Sequence, residues 1–192
     1  MSIARLALII PLYNKQHQIR RALASILVQK IPFYQVIIVN DCSTDSSIAV
    51  VEQFISENPN SGFQIIQHHR NLGPSGARNT GLEAVQSDYV CFLDADDFLL
   101  PNTSEHLHLA LESCETAPGV LIYSVEEQRS GAVRPSFIHL RKFSSCQMIN
   151  PKLLKLDDWA STMINEPLFC SGGNVLINRR LISNRFDLTM RN

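Results

Sequence analysis

The feature that most constrains this chain is a rhythm of short apolar-rich runs alternating with segments of helical spacing. The runs are Leu6 to Ile10, Val36 to Val39, Phe63 to Gln67, Tyr89 to Leu93 and Val120 to Val125. Helical spacing covers His17 to Gln29, a stretch from a Thr44 or Asp45 cap through Ile55, Ser75 to Val85 and Asn102 to Glu115. A strand that is apolar at successive positions needs cover on both faces, and a helix between two strands makes them parallel. The rhythm therefore predicts an α/β fold, a mostly parallel central sheet with helices on both faces. Ligands of such sheets bind at the carboxyl ends of the strands. Four polar clusters lie there: residues 11–14, 40–43, 68–71 and 94–97.

After Gln128 the rhythm weakens. Val133 to Leu140 and Asn174 to Asn178 read as strands, Lys152 to Asn165 as a helix, 170–173 as a turn, and Arg179 to Ser183 as a short helix. Trp159, preceded by Asp157 and Asp158, reads as a packed aromatic behind a helix cap.

Composition narrows the function. With 192 residues, 45% of them hydrophobic, the chain can bury a core without disulfide or metal staples. The net charge of −1 gives no electrostatic reason to expect a nucleic-acid partner. That near-neutrality hides a division. Residues 79–128 hold 10 acidic and no basic residues, and residues 129–192 hold 10 basic and 4 acidic ones. Such a division suits either a cation and then an anion, or a solvated acidic face. Five scattered cysteines without a C-x-x-C pair fit reduced thiols and a cytoplasmic location, with Cys91 a small core residue. No apolar stretch is long enough to span a membrane, and the apolar start is too short for a signal peptide. The six histidines lack zinc spacing and read as surface or packing residues. Neither a G-x-S-x-G elbow nor a Walker loop occurs.

Three constellations can carry chemistry. Asp94-x-Asp96-Asp97 follows a strand, and two carboxylates on one turn suit a hard cation such as Mg²⁺ or Mn²⁺; a helix cap is the plainer alternative. Asp41 stands at a strand tip, where it can accept a hydrogen bond from a base N–H or simply shape a turn. The Gly-rich entry at 71–81 to the helix at Ser75 to Val85 puts Arg78 where it can pair with a phosphate or remain a surface arginine.

Taken in order, these pieces resemble the inverting glycosyltransferases of family 2, with their GT-A fold. Leu8-Ile9-Ile10-Pro11-Leu12-Tyr13-Asn14 resembles the opening I-I-P-x-Y-N. Residues 39–45 resemble V-D-D-G-S-T-D, and 71–81 resemble N-x-G-x-x-x-A-R-N-x-G. Residues 92–101 resemble F-L-D-A-D-D-x-x-x-P, and 171–180 resemble the later S-G-G segment more faintly. The resemblance implies that Pro11 and Tyr13 flank a nucleotide base and that Asp41 bonds its imide. It implies that Arg78 lies near base and phosphates, that Asp94 faces ribose and metal, and that Asp96 binds a divalent ion on the diphosphate. Asp97 is then a supporting carboxylate. Two departures stand out. Asn40 replaces the first Asp of the D-D pair, and Cys42 replaces a Gly. If that turn needs a positive φ, Cys42 costs on the order of 1–2 kcal/mol.

The implied function is metal-dependent transfer of a sugar, with inversion, from a UDP- or dTDP-type donor to a glycan or lipid-linked acceptor. Residues 1–128 form the nucleotide-sugar-binding subdomain in this reading, and 129–192 the start of an acceptor-side subdomain that is incomplete. Peripheral contact with a membrane is compatible with it. The general base of the family lies downstream of the S-G-G segment, where Asp187, after Phe186, is the one candidate. The expectation is therefore a chain that binds donor and transfers poorly. The alternatives are a nucleotide-binding module without activity and a nucleotidylyltransferase. The latter wants a Gly-rich basic loop near the N-terminus, and residues 1–30 contain no Gly.

Overall fold

A computed structural model describes residues 3–114, 116–123, 125–129, 132–136, 146–150, 153–156, 175–182 and 186. The first elements are β1 (Leu6–Leu12), α1 (Ile19–Leu27), β2 (Gln35–Asn40), α2 (Ser47–Glu57) and β3 (Phe63–Gln67). They are followed by α3 (Gly73–Ala84), β4 (Tyr89–Phe92), α4 (Thr103–Glu112) and β5 (Val120–Ile122). Then come β6 (Val125–Arg129), β7 (Ala132–Ser136), β8 (Cys146–Asn150), β9 (Leu153–Leu156) and β10 (Val175–Asn178), closed by a 3-10 turn at Arg179–Leu181.

The central sheet has the order β3-β2-β1-β4-β10-β5. β1 pairs in parallel with β2 and β4, and β2 in parallel with β3. β10 runs antiparallel to both β4 and β5. The expected mostly parallel sheet is thus present, with one reversed strand that comes from late in the chain.

Alternating residues of β1 serve two cores. Leu6, Leu8, Ile10 and Leu12 face Ile19, Leu23 and Ile26 of α1, Val51 and Phe54 of α2, and Leu107 of α4. Ala7 and Ile9, with Ile37, Val39, Val90 and Phe92, form the second core with Ala77 of α3. Cys91 is buried in the first, as expected of a small core residue. Each fully buried Leu or Ile contributes about 1.5–3 kcal/mol, so the β1 face alone explains why this strand sits at the centre.

Three expectations are corrected. Val120 to Val125 is not one strand: β5 ends at Ile122 and β6 pairs with β7 in a separate hairpin. The start of the expected helix at Lys152 is instead the strand β9, paired with β8. Its Leu-Leu-Lys-Leu pattern satisfies either period, and a short apolar run does not discriminate between them. α2 begins at Ser47, and Asp45 accepts the Ser47 N–H while Thr44 turns to another loop. Residues 137–145, 157–174 and 187–192 lie outside the described residues, and with them Trp159, the 170–173 turn and Asp187.

Candidate functional site

The site begins with a proline. The Ile9 carbonyl accepts from Leu93, so by alternation the Pro11 nitrogen points to the same β4 edge. Pro11 has no N–H to donate, and the β1–β4 ladder stops at Ile9 and Phe92. Residues 94–97 are therefore free to leave the sheet as an acidic turn. On the other edge β1 stays paired with β2 through Leu12 and Asn40. The order across the carboxyl edge is β2 with Asp41, β1 with Pro11 and Tyr13, and β4 with Asp94 and Asp96. Two strand spacings separate the outer positions, roughly 10 Å.

Asp41 is nearly enclosed, its side chain 3% exposed. Its Oδ1 accepts from the Leu72 backbone N–H at 2.8 Å and from His68 Nδ1 at 2.7 Å. Asn71 Nδ2 donates to its carbonyl. Next to it Cys42 holds a φ of +59° and donates Sγ–H to the His68 carbonyl. The turn does need the left-handed conformation, so the cost foreseen for a non-glycine residue there is present.

The β1 loop is clamped to the β2 loop by Asn14, which itself has a φ of +51°. Its Oδ1 accepts from the Thr44 N–H at 2.8 Å, its Nδ2 donates to Thr44 Oγ1, and its N–H donates to Ser43 Oγ. Asp45 adds a second tie by accepting from the Gln16 N–H. Tyr13, 46% exposed, stands at the outer end of β1, and Pro11 is half-buried beneath it.

On the β4 side each carboxylate of the Asp94-x-Asp96 pair already meets a cation of the chain. Arg78 of α3 donates to Asp94 Oδ1 at 2.7 Å. Lys15 of the β1 loop donates to Asp96 Oδ2 at 2.6 Å. Burial works against ionising Asp96. The Lys15 hydrogen bond, the residue's own N–H and the charges of Lys15 and Arg21 outweigh it and hold the carboxyl below its usual range. Asp97 goes the other way: burial raises it, and the charges of Asp94 and Asp96 raise it further. The acidic turn is thus crowded with negative charge.

Arg78 has a second unusual feature. Its Nε is buried and has no hydrogen-bond partner among the described residues. The guanidinium lies 5.9 Å from the Phe186 ring, and Phe186 meets Phe92 edge-on at 5.4 Å. Asn79, the next residue of α3, holds the Phe186 backbone at both groups: Nδ2 donates to the carbonyl at 2.9 Å, and Oδ1 accepts the N–H at 2.8 Å.

Pro11, Tyr13, Asp41, Arg78, Asp94 and Asp96 therefore share one edge, while Asp187 lies outside the described residues. Sequence reasoning missed His68, read as a surface or packing residue, and gave no role to Asn14, Lys15 or Asn79. Asn14 and Asn79 lie inside the matched motifs, which was the available signal. For His68 the signal was its place in the polar cluster after β3, and for Lys15 there was none, because its partner Asp96 follows β4, 81 positions on.

The acidic turn offers hard oxygen donors, the right kind for Mg²⁺ or Mn²⁺. Among the described residues no three His, Cys, Asp or Glu side chains gather into a metal cage. The donor set fits an ion held by one or two carboxylates and completed by phosphate and water. Among the described residues no helix is long and apolar enough to cross a membrane.

Comparison with known proteins speaks to the family and the fold. The family described as Glycosyl transferase family 2 matches residues 7–186. A protein of Escherichia coli named Uncharacterized glycosyltransferase YibD is 38% identical over 112 residues, 58% of this chain and 32% of that protein. The Succinoglycan biosynthesis protein ExoO of Rhizobium meliloti is 28% identical over 95% of this chain and 51% of its own length. The crystal structure of S. aureus TarS in complex with UDP superposes with a TM-score of 0.56 at 29% identity, covering 62% of this chain and 34% of that one. A second TarS structure reaches a TM-score of 0.73 over 98% of this chain at 21% identity, which speaks to fold alone. The chain spans about a third to a half of the length of these proteins.

Proposed function

This chain belongs to glycosyl transferase family 2, and from that premise we infer that it forms the donor-binding part of an enzyme moving a sugar from a nucleoside diphosphate sugar to an acceptor hydroxyl. The observation that carries the reading is the order of groups along the carboxyl edge. A nucleoside laid across the end of β1 has its base at Asp41, its ring beside Tyr13 and Pro11, and its diphosphate toward Asp94 and Asp96. The UDP complex of TarS supports a uridine diphosphate donor.

In this reading Asp41 accepts the imide N–H of uracil or thymine. Arg78 turns its unpartnered Nε–H to a phosphate oxygen. Asp94 and Asp96 hold a divalent cation, which when bound offsets the charge of the departing diphosphate. Lys15, which pairs with Asp96 in this structure, would supply a further positive charge beside the phosphates. The acceptor oxygen attacks the anomeric carbon from the face opposite the diphosphate, the bond from that carbon to the phosphate oxygen breaks, and the acceptor proton passes to a base. Inversion follows from the single displacement. Asp187, which follows the Phe186 held by Asn79, is the candidate for that base.

Calorimetry tests the donor reading. UDP is expected to bind more tightly with Mn²⁺ than with chelator, and Asp96→Ala to abolish the difference. UDP is also expected to outcompete CDP by roughly tenfold or more, since a hydrogen bond to a charged group is worth ~1.5–3 kcal/mol and cytosine N3 has no proton to donate. Equal affinity for UDP with metal and with chelator rejects the metal role, and equal affinity for UDP and CDP rejects the role of Asp41.

A further inference from the structure

The histidine that sequence reasoning passed over is the best-anchored side chain at the base end of the site. His68 follows β3, and its side chain is only 8% exposed. A carboxylate only accepts hydrogen bonds, so Nδ1 carries the proton that bonds Asp41 Oδ1 at 2.7 Å. In the neutral ring the other nitrogen is then an acceptor, and Thr80 Oγ1 of α3 lies 2.8 Å from Nε2, placed to donate to it. The His68 backbone is fixed as well, its N–H on the Asn40 carbonyl and its own carbonyl on Cys42 Sγ. The strand-tip segments of β2 and β3 and the helix α3 therefore meet at this one histidine.

This arrangement has a consequence for the carboxylate. Oδ1 is fully engaged by His68 Nδ1 and the Leu72 N–H. An N–H arriving from a ligand has Oδ2 left to bond. We propose that His68 is a positioning residue for base selection. It fixes the Asp41 carboxylate so that Oδ2 meets the pairing-edge N–H of uracil or thymine, and Thr80 fixes the tautomer that lets His68 do so. The proposal rests on the reading of Asp41 given above. His68 itself touches no ligand in it. Without the Nδ1 donor the Leu72 N–H is the carboxylate's one remaining hydrogen bond among the described residues, and rotation about the Cβ–Cγ bond mixes the two oxygens.

Two amide substitutions separate this role from mere packing. Asn places its Nδ2 donor where the His Nδ1 stood, and Gln places its polar end near the Nε2 position instead. Both fill the pocket with a polar group. His68→Asn is expected to keep most of the UDP-over-CDP preference in calorimetric competition. His68→Gln is expected to reduce it from roughly tenfold to about twofold, with the Mn²⁺ increment in UDP binding retained. Long-range proton–nitrogen NMR of the wild-type ring gives a reading that needs no variant, with the proton expected on Nδ1. A proton on Nε2, or a preference unchanged in His68→Gln, overturns the positioning role while leaving Asp41 as the base-reading group. A wild-type chain that shows no preference between UDP and CDP overturns the reading of Asp41, and this proposal with it.

Discussion

Cys42 is a left-handed residue at a position that glycine fills more easily. Its φ of +59° costs on the order of 1–2 kcal/mol for an L side chain. Cys42→Gly relieves that strain but adds about 0.5–1 kcal/mol of unfolded-chain entropy and gives up the bond to the His68 carbonyl. The expected stability is therefore within about 1 kcal/mol of the parent. Cys42→Val puts a β-branched side chain in the same conformation and is expected to cost ~2 kcal/mol or more. Urea unfolding of the three proteins measures this, and equal midpoints would show that the turn relaxes without strain. At this scale the sequence was informative where a motif supplied it. The carboxylates at 41, 94 and 96 were legible because each stands just after an apolar run. Their pairing with Lys15 and with the imidazole of His68 was not, because Lys15 reaches Asp96 across 81 positions and His68 reaches Asp41 across 27.

The secondary-structure elements were easiest to read where apolar runs had matching helices on either side. β3 was expected at Phe63 to Gln67 and occupies those residues, and β1, β2 and β4 differ from expectation by one or two residues at an end. After Gln128 the strand at Asn174 to Asn178 is found as β10, but the start of the expected helix at Lys152 is the strand β9, because short runs there lack a partner period to arbitrate strand against helix. α3 shows how closely an element is fitted to the sheet. A Cβ on Gly81 would meet Ile9 Cγ2 at 2.4 Å, and Ile9 is wholly buried in the central strand. Gly81→Ala gains about 1 kcal/mol of helix propensity and incurs about 1–3 kcal/mol of overpacking. The net expectation is a lower melting temperature. A higher one would mean that α3 slides outward without cost. Since Arg78 and Asn79 lie on the same helix, such a slide also moves the groups that meet Asp94 and Phe186.

The whole molecule is less separable than its ligand surfaces suggest. The proposed donor subdomain, residues 1–128, contains every group placed along the carboxyl edge. The sheet beneath it is completed by β10, which sits between β4 and β5. A fragment ending at residue 128 leaves β5 without its partner and β4 with a bare edge. It is expected to melt below the 192-residue chain and to bind more of a hydrophobic dye, as judged by circular dichroism and fluorescence. A fragment with unchanged melting would show that β10 is dispensable to the donor half.

That same late strand imposes a schedule on the molecule while it is being made. β1 to β5 leave the ribosome in order, and each parallel pair can close as its second strand appears. The outer edge of β4 must then wait for roughly fifty further residues, about 3–10 s at about 5–20 residues per second. During that interval a nearly finished, apolar sheet shows an unpaired margin able to recruit any strand that passes, including one from a neighbouring nascent chain. The order in which the chain emerges therefore makes its most stable region also its most exposed one.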